Sequence, residues 1–124
     1  RFVSVTVVGA RTRADARARA STIANSLLCK TAWFGGDPNW GRVVDAAGYA
    51  GIELEPARVS LDYNGVPIVR DGMDAGTPET EQAAAVSCPE IDLRLDLGLG
   101  DGQFTVWTCD ISYEYVKINA EYHT

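Results

Sequence analysis

Apolar and polar residues alternate from Phe2 to Val8, the two-residue period of a strand. After Thr12 the period lengthens. Ala16, Ala20, Ile23, Ala24 and Leu27 fall on one helical face while Arg13 and Arg17 share the other, and Thr12 followed by Asp15 is a capping-box pattern. A short helix is predicted over Gly41 to Ala47, capped by Asn39 and ending in Gly48 and Gly51. Val59 to Tyr63 and Val66 to Arg70 flank Asn64-Gly65, the pair that a type I′ turn requires, so they predict a hairpin; Pro67 confines its second strand to an edge. Thr77-Pro78 reads as an N-cap and first helical position ahead of a peripheral helix over Glu79 to Val86. Ile91, Leu93, Leu95 and Leu97 alternate with Asp92, Arg94 and Asp96, a half-buried strand. Gly98, Gly100 and Gly102 then connect it to a partner strand carrying Phe104 and Val106, a second hairpin. Ser112 caps a last helix with Tyr115, Ile118, Tyr122 and the polar Asn119 on one face. An amide there needs a partner: it either ties the C-terminus to neighbouring backbone or points into a site.

The stretch from Lys30 to Arg42 has neither period. Gly35 and Gly36 free the backbone, Pro38 holds Asp37 extended, and Asn39 is a natural cap, so a structured loop entering a helix is expected. Trp33, Phe34 and Trp40 are costly to leave in water, which predicts that they are mostly buried, in part against polypeptide outside this chain. The helix start beside Arg42 is either an anion site or a packing elbow, and Asp37 beside it favours the elbow.

With 124 residues, 46% of them hydrophobic and 23% charged, the chain has the makings of one globular domain. It holds no run of about 18 apolar residues and no signal-peptide pattern, so a cytoplasmic protein is expected. Its net charge of −6 disfavours nucleic acid and anionic membranes. Residues 1 to 44 hold seven basic side chains, Arg19 among them, against Asp15 and Asp37, a balance that suits solvated surface more than an anionic substrate or an acidic partner chain. Cys29, Cys88 and Cys109 are scattered and odd in number, which argues for reduced, buried thiols. His123 is the only histidine, too isolated to serve a cysteine nucleophile or a zinc site. Asp92 and Asp96 stand about 13 Å apart along a strand and read as solvated rather than as a metal pair. No metal and no cofactor is expected.

Lys30-Thr-Ala-Trp-Phe-Gly-Gly-Asp-Pro-Asn-Trp-Gly-Arg42 resembles the signature segment of the ornithine acetyltransferase (glutamate N-acetyltransferase) family. Tyr115-Val-Lys-Ile-Asn-Ala-Glu-Tyr122 is similar to that family's C-terminus, and Cys109-Asp110 and Asp71-Gly72 also fit. The resemblance covers essentially the whole chain and implies the C-terminal part of the β chain of such an enzyme, residues 1–124 forming a single domain that lacks the N-terminal nucleophile segment. In that family a precursor cleaves itself before a threonine, which then carries acetyl from N-acetylornithine to glutamate, with its own α-amine as base. Oxyanion donors come from the α chain. The resemblance therefore implies as partners the α chain and the rest of the β chain in a hetero-oligomer, and as substrates N-acetylornithine and glutamate. Carried over residue by residue, it assigns substrate binding to Asn119 and Thr124 and no catalytic residue to this chain, which alone should be inactive. Gly36 and Trp33 depart from the family's usual residues.

The expected fold is α+β: mixed sheets with two hairpins and outer helices, part of a layered α/β/β/α enzyme of the self-cleaving threonine-nucleophile type. A strand that begins at the first residue with no cap or turn before it suggests that the chain continues something upstream. Two rivals stand beside the transferase: a non-catalytic binding or structural domain, favoured by the absence of a self-contained catalytic cluster, and a related self-cleaving aminopeptidase.

Overall fold

A computed structural model describes residues 1–48 and 54–111. Six strands form one mixed sheet: β1 (Phe2–Ala10), β2 (Ser60–Tyr63), β3 (Val66–Arg70), β4 (Met73–Asp74), β5 (Glu90–Asp96) and β6 (Gly102–Cys109), in the spatial order β4-β3-β2-β5-β1-β6. Four α-helices accompany them among the described residues: α1 (Arg13–Ala24), α2 (Leu27–Phe34), α3 (Trp40–Gly48) and α4 (Glu79–Ala85). The α+β class is as the patterning predicts.

The alternation read from the sequence defines the two faces of the sheet. β1 runs parallel to β5 with Val3, Val5 and Val7 beside Ile91, Leu93 and Leu95, and Leu61 and Tyr63 of β2 continue the row beside Leu95 and Leu93. All eight are essentially inaccessible to solvent. Helices α1 and α2 cover this face: Trp33 of α2 donates its indole N–H to the Tyr63 hydroxyl at 3.0 Å, and Thr108 Oγ1 of β6 donates to the Ala24 carbonyl of α1 at 3.1 Å. The opposite face is polar. Thr6 and Thr105 share a hydroxyl hydrogen bond there at 2.9 Å, and Arg70 and Asp62 form a close charge contact of 2.6 Å that lacks hydrogen-bond alignment. Trp107, 65% exposed, stands on this face beside Ser4.

The predicted second hairpin does not form. β6 pairs antiparallel with β1, not with β5, so the connection after β5 passes over the end of β1. Two backbones must nearly touch to make that crossing. Leu99 and Gly100 donate their N–H groups to the Gly9 carbonyl at 2.7 and 2.9 Å, and a Cβ on Gly102 would stand 2.3 Å from the Thr12 carbonyl oxygen. Gly100 and Gly102, which read as part of a hairpin turn, are there because only hydrogen fits between the crossing chains, whereas Gly98 is held at φ 65°. The first hairpin forms as predicted, with Asn64 at φ 50° and Gly65 at φ 77°, both in the left-handed region that a type I′ turn needs. The edge position expected for β3 goes instead to β4, which pairs outside it with Val69 and Arg70; the ladder ends before Pro67, so no outer strand asks that residue for an N–H.

Helix boundaries moved in three places. α1 stops at Ala24 because Asn25 takes the C-cap position, and Ser26, accepting the Cys29 N–H at 3.2 Å, starts a new helix. Leu27 therefore belongs to α2 and faces solvent instead of extending the α1 stripe. α2 runs through Phe34, so the first residues of the Lys30 to Arg42 stretch are helical; eight residues are too few to show a period. At α4 the N-cap is Pro78 rather than Thr77, whose hydroxyl is spent on the Pro67 carbonyl at 2.5 Å. The predicted C-terminal helix from Ser112 lies outside the described residues.

Candidate functional site

Asn119 and Thr124, the two residues to which the family resemblance assigns substrate binding, lie outside the described residues, as does His123. The described chain leads up to them through β6, where the Asp110 N–H donates to the Arg1 carbonyl at 3.2 Å and so ties the end of β6 to the start of β1.

The signature segment is a helix–elbow–helix unit. Gly35 caps α2, Gly36 follows at φ 67°, and Asp37 donates its N–H back to the Ala32 carbonyl at 2.9 Å. Pro38 then blocks further helix, and Asn39 restarts it by accepting the Arg42 N–H at 3.3 Å, the predicted cap. Arg42 holds the two helices together from both ends of its chain: its guanidinium donates to the Leu28 carbonyl at 3.0 Å, and its own carbonyl accepts the Cys29 thiol at 3.5 Å. The bond from Arg42 to Leu28 and the Asn39 cap on the helix start favour the packing elbow over the anion site.

Of the three aromatic rings only Trp33 is fully buried within the chain; Phe34 is half-buried and Trp40 is 39% exposed, which leaves both with surface for polypeptide outside this chain, as expected of the segment. Likewise only Cys29 is a buried thiol. Cys88 is half-buried and Cys109 exposed, because they lie at the end of α4 and on the open end of β6. Burial pushes the Cys29 thiol up from its ordinary value near 9.0, the opposite of what a nucleophile needs.

Burial also drives the Tyr63 hydroxyl well above its ordinary value of 10.0. Both groups are therefore held neutral more firmly in the folded chain than in the unfolded one. Their contribution is fully present below the unfolded pKa values and is lost as pH rises past them. Denaturant titrations should show stability flat through neutrality and falling above about pH 9 to 10. A midpoint unchanged to pH 11 would contradict the burial of both groups.

Sequence reasoning missed Arg19. The charge pattern places it with the solvated arginines, yet it is completely buried, donating Nε–H to Asp15 at 3.0 Å and Nη1–H to the Ala47 carbonyl of α3 at 2.8 Å. The signal was available: Asp15 and Arg19 are four residues apart beside Ala16, Ala20 and Ile23 on the buried face. Arg13 and Arg17 do stay outside, stacked over the Phe104 ring at 5.0 and 5.6 Å. Among the described residues no group of three or more His, Cys, Asp or Glu side chains could hold a metal ion.

Comparison with known proteins agrees over the whole chain. The ArgJ family model matches residues 1–124. The arginine biosynthesis bifunctional protein ArgJ of Geobacter sulfurreducens is 49% identical over 125 residues, covering 100% of this chain and 32% of its own length. The glutamate N-acetyltransferase of Methanocaldococcus jannaschii is 45% identical over 132 residues, covering 100% of this chain and 33% of itself. The chain thus spans about a third of the curated relatives it matches. In the crystal structure of the ArgJ protein from Bacillus halodurans, a chain superposes with a TM-score of 0.93 at 32% identity, over 98% of this chain and 58% of that one. By the length of the match, the identity and the superposition alike, the chain belongs to the ArgJ family.

Proposed function

We propose that this chain is the C-terminal part of the β chain of a glutamate N-acetyltransferase serving arginine biosynthesis in the cytoplasm, with the nucleophile on a segment outside it. The observation that carries this reading is similarity along the whole chain to an arginine biosynthesis bifunctional protein ArgJ at 49% identity and to a glutamate N-acetyltransferase at 45%. A second observation supports division into two chains. This chain covers more than half of the crystallised ArgJ chain but about a third of the full-length relatives, so that crystallised chain is itself little more than half their length.

In this reading the β-chain threonine gives its hydroxyl proton to its own α-amine and attacks the acetyl carbonyl of N-acetylornithine. The C–N bond breaks and ornithine leaves with the proton; the glutamate amine then attacks the threonine ester, giving its proton to the α-amine, which returns it to the threonine oxygen as the C–O bond breaks. Donors from the α chain stabilise the oxyanion. Asn119 and Thr124 hold the amino-acid part, an amide and a hydroxyl suited to α-amino and carboxylate groups. The polar sheet face, with Trp107 on it, is where the second sheet of an α/β/β/α sandwich would rest.

The test is made on the full-length protein. Incubation with N-acetylornithine should leave one acetyl group on a threonine-starting peptide, and glutamate should remove it. Asn119→Ala should raise the Michaelis constants of N-acetylornithine and glutamate together, by roughly tenfold to a hundredfold for an unpaired charged partner, with little change in melting temperature. Unchanged constants in a stable variant would remove Asn119 from the site. Absence of any acetyl-enzyme or transfer would favour the non-catalytic domain, and hydrolysis of peptides the aminopeptidase.

A further inference from the structure

Leu27 and Leu28 open α2 side by side at 67% and 63% exposure. A helix's first turn normally presents polar side chains that solvate its unpaired N–H groups, so two adjacent leucines there are out of place in water. Leu28 also forms one wall of a groove of about 490 Å³ between the end of α1 and the outer side of α3, with Ala46 and Asp45 across from it. The groove is divided in character. Leu28 and Ala46 give it an apolar strip, Arg42 is tied to the Leu28 carbonyl, and Asp45 carries an exposed carboxylate that forms no ion pair among the described residues. Trp40, partly exposed, opens α3 two residues before Arg42.

We infer that in the whole protein this groove is covered by a segment from the part of the protein outside this chain, which seats an apolar side chain between Leu28 and Ala46 and brings a lysine or arginine to Asp45. The inference rests on the reading above, that this chain is one piece of a longer protein, because relatives matched along all of it extend about twice its length beyond it. The size of the patch selects this occupant over a second copy of the chain. Stable association of separate molecules buries about 800 Å² on each partner. Two leucines and a single-ligand groove fall well short of that, but suffice for a segment already held in place by the rest of one protein.

Hydroxyl-radical footprinting of the unsubstituted full-length protein reads Leu27 and Leu28 directly: the inference expects both to be protected until the protein is unfolded in urea. A photo-reactive phenylalanine derivative introduced at Leu28 should cross-link to peptides outside residues 1–124, and adding Asp45→Lys should diminish that cross-link. Oxidation of both leucines at the unfolded rate overturns the inference. So do cross-links between two copies of this segment, or cross-links confined to residues 1–124. Acetyl transfer from N-acetylornithine is assayed on the same sample, which keeps the two claims apart. Active protein with exposed leucines sinks the groove and leaves the enzyme, whereas inert protein with protected leucines does the reverse.

Discussion

Arg19→Ala should destabilise the fold by about 3 to 5 kcal/mol, the loss usual when one partner of a buried ion pair is removed. The size follows from what remains behind. Asp15 is 4% exposed, and without Arg19 the Oδ1 of its buried carboxylate loses its donor while Oδ2 already has none among the described residues, since Thr12 bonds only the Asp15 backbone N–H. The Ala47 carbonyl near the end of α3 loses its donor as well, so α1 and α3 part where they are pinned. The double variant Asp15→Leu with Arg19→Met removes both charges and should recover much of the loss, since apolar replacements of buried pairs are often neutral. Urea titration of the single and double variants in the full-length protein measures both. A single variant as stable as the parent would show that the pair is not the clamp described.

How far the fold is legible depends on how local its causes are. The strand alternation at Val3 to Val7 and Ile91 to Leu95, the Asn64-Gly65 turn and the Thr12 and Asn39 caps are set by neighbours within a few residues, and all stand where the pattern puts them. β6 was misplaced because nothing within Gly98 to Gly102 says which strand lies beside it. Glycines needed for a backbone crossing look the same in sequence as glycines of a hairpin turn. Arg19 escaped for a related reason: a charge is placed outside by default until its partner carbonyl, 28 residues away, is known. Among site residues, the family motifs pointed to Asn119 and Thr124, while the helical pattern alone left Asn119 open between a structural and a binding role.

Trp33→Ala is the other large change, expected to cost about 3 to 5 kcal/mol from the transfer and cavity terms of a fully buried indole. Trp33 is inaccessible to solvent, and its N–H is the partner that the buried Tyr63 hydroxyl has in α2. Truncation therefore opens a hole between α2 and the sheet and leaves a polar group inside it. Trp33→Phe fills most of the hole without restoring the hydrogen bond, so it should cost less than the alanine variant, about 1 to 3 kcal/mol. The phenylalanine variant also separates support from chemistry. If the elbow from Gly35 to Asn39 serves packing, as the bonds from Asp37 to Ala32 and from Arg42 to Asn39 indicate, then full-length protein carrying Trp33→Phe should melt earlier yet, on the function proposed above, keep its Michaelis constants for N-acetylornithine and glutamate. A stable variant with both constants raised would instead bring the signature segment into the substrate site and end its description as an elbow.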